Sequence, residues 1–388
     1  MPTPIEFSDR LKELPPYLFV EIDKAKRKAI AEGKDIIDLG IGDPDSPTPP
    51  PIVQALQEAS RDGSNHHYAL DAGLPDLRQA IAVWCQRRFA FTLNSDTEIY
   101  PCIGSKEGLA HLLLGLVNPK DKVIIPEPCY PGYRAFAILA GGRPVYIPLK
   151  AKNDFLPDLS RIEKVHGARL MFVNYPNNPT AAVASREFYT QLVRLAQEKG
   201  IILVSDLAYS EIYYEGQKPL SLLEIEGAKD LTIEFHSFSK TFNMTGWRLG
   251  WACGNEKLIS TLAKVKSNVD SGIFQAIQIA GIAALKTPEE ELQDLRMLYE
   301  ERRDYLVNGL RNLGWKITAP QATFYVWAKI PKKFNDSLEV AKLFLDQANI
   351  VVTPGIGFGE SGEGYIRMTL TVSKEKINEA VERLSGVL

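Results

Sequence analysis

From position 98 to position 253 the chain alternates short apolar runs with helix-patterned stretches, and no other feature constrains its fold as far. The runs fall at 99–103, 121–126, 143–147, 169–174, 201–205, 232–235 and 249–253, with helical patterns opening at 104 and 186. Strands that are apolar throughout, rather than every second residue, are covered on both faces, as parallel strands joined by helical crossovers are. The reading is therefore α/β: a mainly parallel sheet between helices, in three layers. Ligands of such sheets bind beyond the carboxyl ends of the strands.

At 388 residues the chain outgrows a single core, so a second lobe is expected. Its elements lie at both ends of the chain. The first residues form an arm, followed by a helix at 20–32 and a strand at 35–39 that runs into the turn Gly40 to Asp45. A proline-dense linker at 47–51 precedes helices at 51–61 and 75–89. Beyond 257 come helices at 273–285 and 288–313. Strands follow at 315–318, 323–328, 350–353 and 365–370, with helices at 338–348 and 374–384. The expected division is 1–47 for the arm and part of a smaller α+β lobe, 48–280 for the large lobe, and 281–388 for the rest of the small one.

Composition closes off several classes of function. A net charge of −3 offers no electrostatic footprint for nucleic acid. No apolar run reaches the length of a membrane span, and no signal peptide is visible. Cys85, Cys102, Cys129 and Cys253 are widely spaced and read as buried thiols of a reducing compartment. The five histidines show no metal spacing. The expectation is a soluble, cytoplasmic protein that holds no metal.

Chemistry-bearing residues cluster where the predicted strands end. Ser237, Ser239, Lys240 and Arg248 follow the strand at 232–235, and Asp206 and Tyr209 follow 201–205. Asn178 follows 169–174, Tyr130 follows 121–126, and Gly104, Ser105 and Lys106 follow 99–103. A lone lysine among hydroxyls is ordinarily a solvated surface group. Five such motifs on one sheet edge suggest pyridoxal 5'-phosphate instead. Lys240 can hold its aldehyde as a Schiff base, while Ser105, Ser237, Ser239 and Arg248 hold its phosphate at a helix N-terminus. Asp206 can pair with the pyridine nitrogen, Tyr209 and Asn178 can bond the phenolate oxygen, and Tyr130 can stack on the ring. A buried Asp206 would need a cationic partner, which the pyridinium would be. Ser105 could equally be a plain helix cap. Arg367, in an apolar strand, reads either as half of an internal salt bridge or as a clamp for a substrate carboxylate. Gly355, Gly357 and Gly359 lack dinucleotide-loop spacing.

Taken together, Tyr68, Gly104 to Gly108, Tyr130-Pro131, Tyr175 to Pro179, Ser205 to Tyr209, Ser237 to Lys240, Gly246 to Arg248 and Arg367 resemble the fold-type I pyridoxal phosphate aminotransferases of the class I/II group. The resemblance implies a three-layer transferase fold and makes Lys240, Asp206 and Tyr209 catalytic, with Lys240 carrying the proton of the transamination. It implies that Arg367, Asn178, Tyr130 and the Gly42 backbone bind the substrate. It also implies a homodimer in which Tyr68 reaches the neighbouring subunit's cofactor. The stretches 104–111, 235–247 and 268–278 look like those of the LL-diaminopimelate aminotransferases, which exchange an amino group between LL-2,6-diaminopimelate and 2-oxoglutarate in lysine biosynthesis. Tyr17 and Lys106 then become substrate contacts, Lys106 also lying in the phosphate loop. Gly272 to Gln275 departs from that pattern, lacking an asparagine that some members place there. Alanine and aspartate aminotransferases are the nearest rivals, and a C–S lyase of the same fold is a further one.

Overall fold

The computed structural model describes residues 5–15, 18–69 and 72–388. Twelve strands appear in chain order among them: β1 (Ile37–Asp38), β2 (Ile99–Cys102), β3 (Lys122–Glu127), β4 (Arg143–Pro148), β5 (Ala168–Val173), β6 (Ile202–Asp206), β7 (Thr232–Ser237), β8 (Gly250–Gly254), β9 (Tyr325–Lys329), β10 (Ile350–Val351), β11 (Thr353–Pro354) and β12 (Tyr365–Thr369). Seven form one sheet in the order β2-β8-β7-β6-β5-β3-β4. Only β8 runs against its neighbours. The ends of β2, β3, β5, β6 and β7 therefore share one edge.

Successive side chains explain why these runs are apolar throughout. Val123, Ile125, Leu170 and Phe172 pack on one face with Leu112 and Leu262. Ile124, Met171 and Val173 pack on the other with Leu192 and Val193. Each buried aliphatic side chain contributes about 1.5–3 kcal/mol relative to exposure, so the sheet cannot slip by one residue without misplacing both layers. The helix Arg186–Lys199 begins at Ser185, whose side chain accepts from the Phe188 amide, and stops at Gly200 with φ 67°.

The small lobe joins both ends of the chain. β1 pairs in parallel with β10, and β11-β12-β9 form an antiparallel sheet with β12 in the middle. Ile37 and Leu39 share a core with Phe324, Ile366 and Met368, covered by the helices Glu289–Asn312 and Lys374–Ser385. The helix Gln275–Leu285 packs on the helices Pro50–Arg61 and Pro75–Phe89, so a break between 280 and 281 would fall inside it.

Two strand expectations need correction. Residues 315–318 form no strand: Trp315 and Ile317 are buried, but the Ile317 carbonyl accepts from the Arg311 guanidinium instead of a neighbouring strand. The run at 350–353 splits, β10 joining β1 while β11 turns to pair with β12. Gly355 to Phe358 forms a 3-10 turn, and a β-carbon at Gly355 would collide with the Gly362 carbonyl. Gly355 serves close backbone packing.

Candidate active site

A cavity of about 380 Å³ opens at the shared strand edge. It is walled by Ser105 and Lys106 beyond β2, Tyr130 beyond β3, Asn174 and Asn178 beyond β5, and Asp206, Ala208 and Tyr209 at and beyond β6. Ser237 ends β7 and Ser239, Lys240, Thr245 and Arg248 follow it, and the small lobe supplies Gly42, Asp43, Tyr325 and Arg367. Four cations, Lys106, Lys240, Arg248 and Arg367, face two carboxylates, Asp43 and Asp206, so the cavity favours an anionic ligand.

Ser237 closes β7 by accepting from the Ser239 amide, starting a single helical turn, Phe238–Thr241, that aims Lys240 into the cavity. What reads as a loop in the sequence is thus a capped turn. The Lys240 ammonium donates to the Gly42 carbonyl at 2.9 Å. Its pKa falls to about 8, first because of burial and further because of Arg367 and Arg248, with Asp43 opposing. An amine poised near neutrality can both add to a carbonyl and move a proton. A β-carbon at Gly42 would collide with the Tyr325 hydroxyl, so only glycine lets this backbone pass under that ring.

Asp206 is buried at the end of β6. Tyr133 donates to its Oδ2 at 2.7 Å, and among the described residues Oδ1 has no hydrogen-bond partner. Tyr133 is itself held by stacking on Phe172, with ring centroids 4.3 Å apart. Burial lifts the Asp206 pKa to about 6, with the Tyr133 bond pulling it back. The tyrosine hydroxyl takes one carboxylate oxygen and leaves the other for a ligand N–H. The backbone of Asp206 accepts from Asn174, which also takes the Asn178 amide and so links the ends of β5 and β6.

At one end of the cavity the helix Ser105–Leu116 points its N-terminus inward. Its cap is Gly104, with φ 75°, so Ser105 is not the cap. A β-carbon on Gly104 would strike the Arg248 guanidinium, which lies directly over this turn. Free amides, a guanidinium and the hydroxyls of Ser105, Ser237 and Ser239 at one place suit a phosphate. At the other end Arg367, 3% exposed in β12, donates to Asn178 Oδ1 at 2.8 Å and to the Gly40 carbonyl at 2.7 Å. The Tyr325 and Phe358 rings flank its guanidinium at 4.2 and 4.8 Å. Tyr209 and Tyr325 share a hydrogen bond of 2.8 Å between them, and burial pushes both phenols up. An Arg–Asn pair in an apolar sleeve suits a carboxylate.

The cavity thus collects Ser105, Lys106, Tyr130, Asn178, Asp206, Tyr209, Ser237, Ser239, Lys240, Arg248, Arg367 and Gly42. Tyr68 is not among its lining residues; it is 89% exposed on the surface beside Ser271 to Phe274. Tyr17 lies outside the described residues. Sequence reasoning missed Asp43, Tyr133, Asn174 and Tyr325. The spacing of Tyr133 from Tyr130, one helical turn apart where a helix begins, was the only available hint. The four cysteines are free and buried. Two ligand-type groups do occur among the described residues, Glu234-His236-Cys253 and Glu107-His111-Asp270. In the first, Glu234 already accepts from Ser205, Ser221 and Leu222. In the second, the Lys266 ammonium bridges Glu107 and Asp270 at 2.8 and 2.9 Å.

The α/β sheet with a polar cavity at its strand ends is the frame of a transferase of the aminotransferase type: the chain belongs to the class I and II aminotransferases, whose family model matches residues 34–384. Within that family it is 51% identical to an LL-diaminopimelate aminotransferase of Aquifex aeolicus over 98% of this chain and 99% of that one. Among solved structures, BacF of Bacillus subtilis superposes with a TM-score of 0.95 at 40% identity, covering 99% and 98% of the two chains. A single mutant of the Thermus thermophilus aspartate aminotransferase superposes at 0.93 with 31% identity, covering 99% and 100%. No described helix is long and apolar enough to cross a membrane.

Proposed function

We propose that the chain uses pyridoxal 5'-phosphate to move an amino group from LL-diaminopimelate to 2-oxoglutarate, as a homodimer with Tyr68 contributed in trans. The observation that carries this reading is the convergence of Lys240, the open oxygen of Asp206 and the Arg367–Asn178 pair on one cavity with a helix N-terminus at its far end. The likeness to relatives named for that substrate supports the choice of amino donor.

Bound there, the cofactor would supply an aldehyde that condenses with amines and a protonated ring that withdraws electrons from the substrate's α-carbon. Lys240 would hold that aldehyde and would carry the proton at the substrate's α-carbon. Its lowered basicity leaves a useful fraction of neutral amine near pH 8. Asp206 would keep the ring protonated, its Oδ1 being open, and Tyr133 fixes the carboxylate's orientation through Oδ2. Tyr209 and Asn178 would hold the phenolate oxygen, and Tyr130 would cover the ring. Ser105, Lys106, Ser237, Ser239 and Arg248 would bind the phosphate. Arg367 and Asn178 take the carboxylate common to amino donor and oxo-acid acceptor, with the Gly42 backbone beside them. Lys106, which lines the cavity, also meets the distal carboxylate, and the family resemblance alone assigns Tyr17 to the same group.

The test is kcat/KM for LL-diaminopimelate beside L-alanine, L-aspartate and L-glutamate, with 2-oxoglutarate and pyruvate as acceptors. The expected outcome is a preference of at least tenfold for LL-diaminopimelate with 2-oxoglutarate, about 1.4 kcal/mol in transition-state binding. A preference for alanine or aspartate would move the chain to one of those activities. Pyruvate formed from amino acids without an acceptor would point to the lyase.

A further inference from the structure

Glu127 ends β3 three residues before Tyr130, yet it does not line the cavity. It is 6% exposed and reaches away from the sheet into the small lobe. Its Oε2 accepts from the Ser361 amide at 3.0 Å. Gly359, with φ 112°, lies so close that a β-carbon there would land on the carboxyl group. One further bond crosses the same junction, from the Cys129 amide to the Phe358 carbonyl at 3.0 Å. The Phe358 ring, fixed by these two anchors, stands 4.8 Å from the Arg367 guanidinium and edge-on to Trp327. Burial raises the pKa of Glu127, with Glu360 adding to the rise, while the Ser361 bonds and Arg134 lower it. A carboxyl group this buried would be costly without the partners it has.

We propose that Glu127 is a positioning residue for substrate binding: it docks the 355–362 turn onto the end of β3 and so holds Phe358 against Arg367. This rests on the reading of Arg367 as the carboxylate site. Glu127 touches neither substrate nor cofactor; it acts through the ring that fixes one side of the guanidinium. Loss of the dock lets the turn and Phe358 relax, which weakens carboxylate binding in both half-reactions because amino donor and oxo acid share that group. Lys240, bonded to the Gly42 carbonyl, and Arg248, bonded to the Thr245 carbonyl, are anchored apart from Glu127 and the 355–362 turn and are left as they are. The signature is therefore a rise in KM for both substrates with little change in kcat.

The experiment compares E127A, E127Q and R367K with the parent holoenzyme, measuring KM and kcat for amino donor and oxo acid, and cofactor uptake by visible absorbance. E127A is expected to raise both KM values about tenfold with kcat within about threefold of the parent and cofactor uptake intact. E127Q, which keeps an acceptor for the Ser361 amide, is expected to restore KM to within about threefold. Parental KM values in E127A, while R367K raises them, would overturn the proposal and leave the Arg367 reading standing. Loss of cofactor uptake in E127A, or an E127Q defect equal to that of E127A, would also overturn it. An R367K enzyme with parental KM would remove the carboxylate reading itself, and the proposal with it.

Discussion

At the scale of single residues, the cost of a prepared site shows most clearly at Asp206. Its folded pKa of about 6 stands above the ordinary carboxylate value of about 3.9. The folded chain therefore holds this proton more tightly than the unfolded chain. Stability is unaffected below about pH 4, declines as pH rises toward about 6, and stays lower beyond it. The deficit is about two pKa units, or roughly 3 kcal/mol. Without cofactor, D206N is expected to match the parent's thermal unfolding at pH 4 and to exceed it at pH 8; supplied with cofactor, it is expected to lose nearly all activity. Equal melting at pH 8 would show that the buried charge is already compensated. Asp206 was legible in the sequence because it ends an apolar strand. Tyr133 was not, because nothing local ties its hydroxyl to a residue 73 positions away.

At the scale of elements, the helix Ser105–Leu116 shows how backbone geometry makes a binding surface. Gly104 adopts φ 75° and leaves no room for a β-carbon beneath Arg248. In G104A the guanidinium must move and the cap is strained. We expect the dissociation constant for pyridoxal 5'-phosphate to rise about tenfold or more, a loss of about 1.4 kcal/mol, read by titrating the cofactor-free protein and following visible absorbance. Unchanged affinity would remove this turn from the phosphate site. Long periodic elements were readable from the chain; Pro75–Phe89 and Arg186–Lys199 carry their own start and stop signals. Two of the small lobe's short runs, 315–318 and 350–353, were not, although β9 and β12 were. The strand ladder at 350–353 depends on which neighbour each pair of residues meets, and at 315–318 an arginine side chain replaced the neighbour altogether.

At the scale of the whole molecule, Tyr68 tests the assembly. It stands exposed beside Ser271 to Phe274, away from its own cavity. If it completes a partner's site, K240A and Y68A are each impaired, but a mixed dimer carries one intact site. Refolding the two variants together at equal amounts should recover roughly a quarter of parental activity, since about half the dimers are mixed. Activity no higher than the sum of the separate variants would refute sharing in trans.

The sequence by itself determined the layered α/β sheet, the strand-end position of Lys240, Asp206, Asn178 and Ser105, and the family resemblance. These follow from local periodicity, from glycine's steric freedom and from chemistry confined to short motifs. Only the tertiary structure decided how those residues are oriented and supported. Tyr133 meets Asp206 across 73 residues, Tyr209 meets Tyr325 across 116, and Glu127 meets Ser361 across 234. Such pairings are set by what packs at the shared strand edge, within the large lobe and across to the small one, where burial and the need to satisfy each buried polar group select partners that no local pattern encodes.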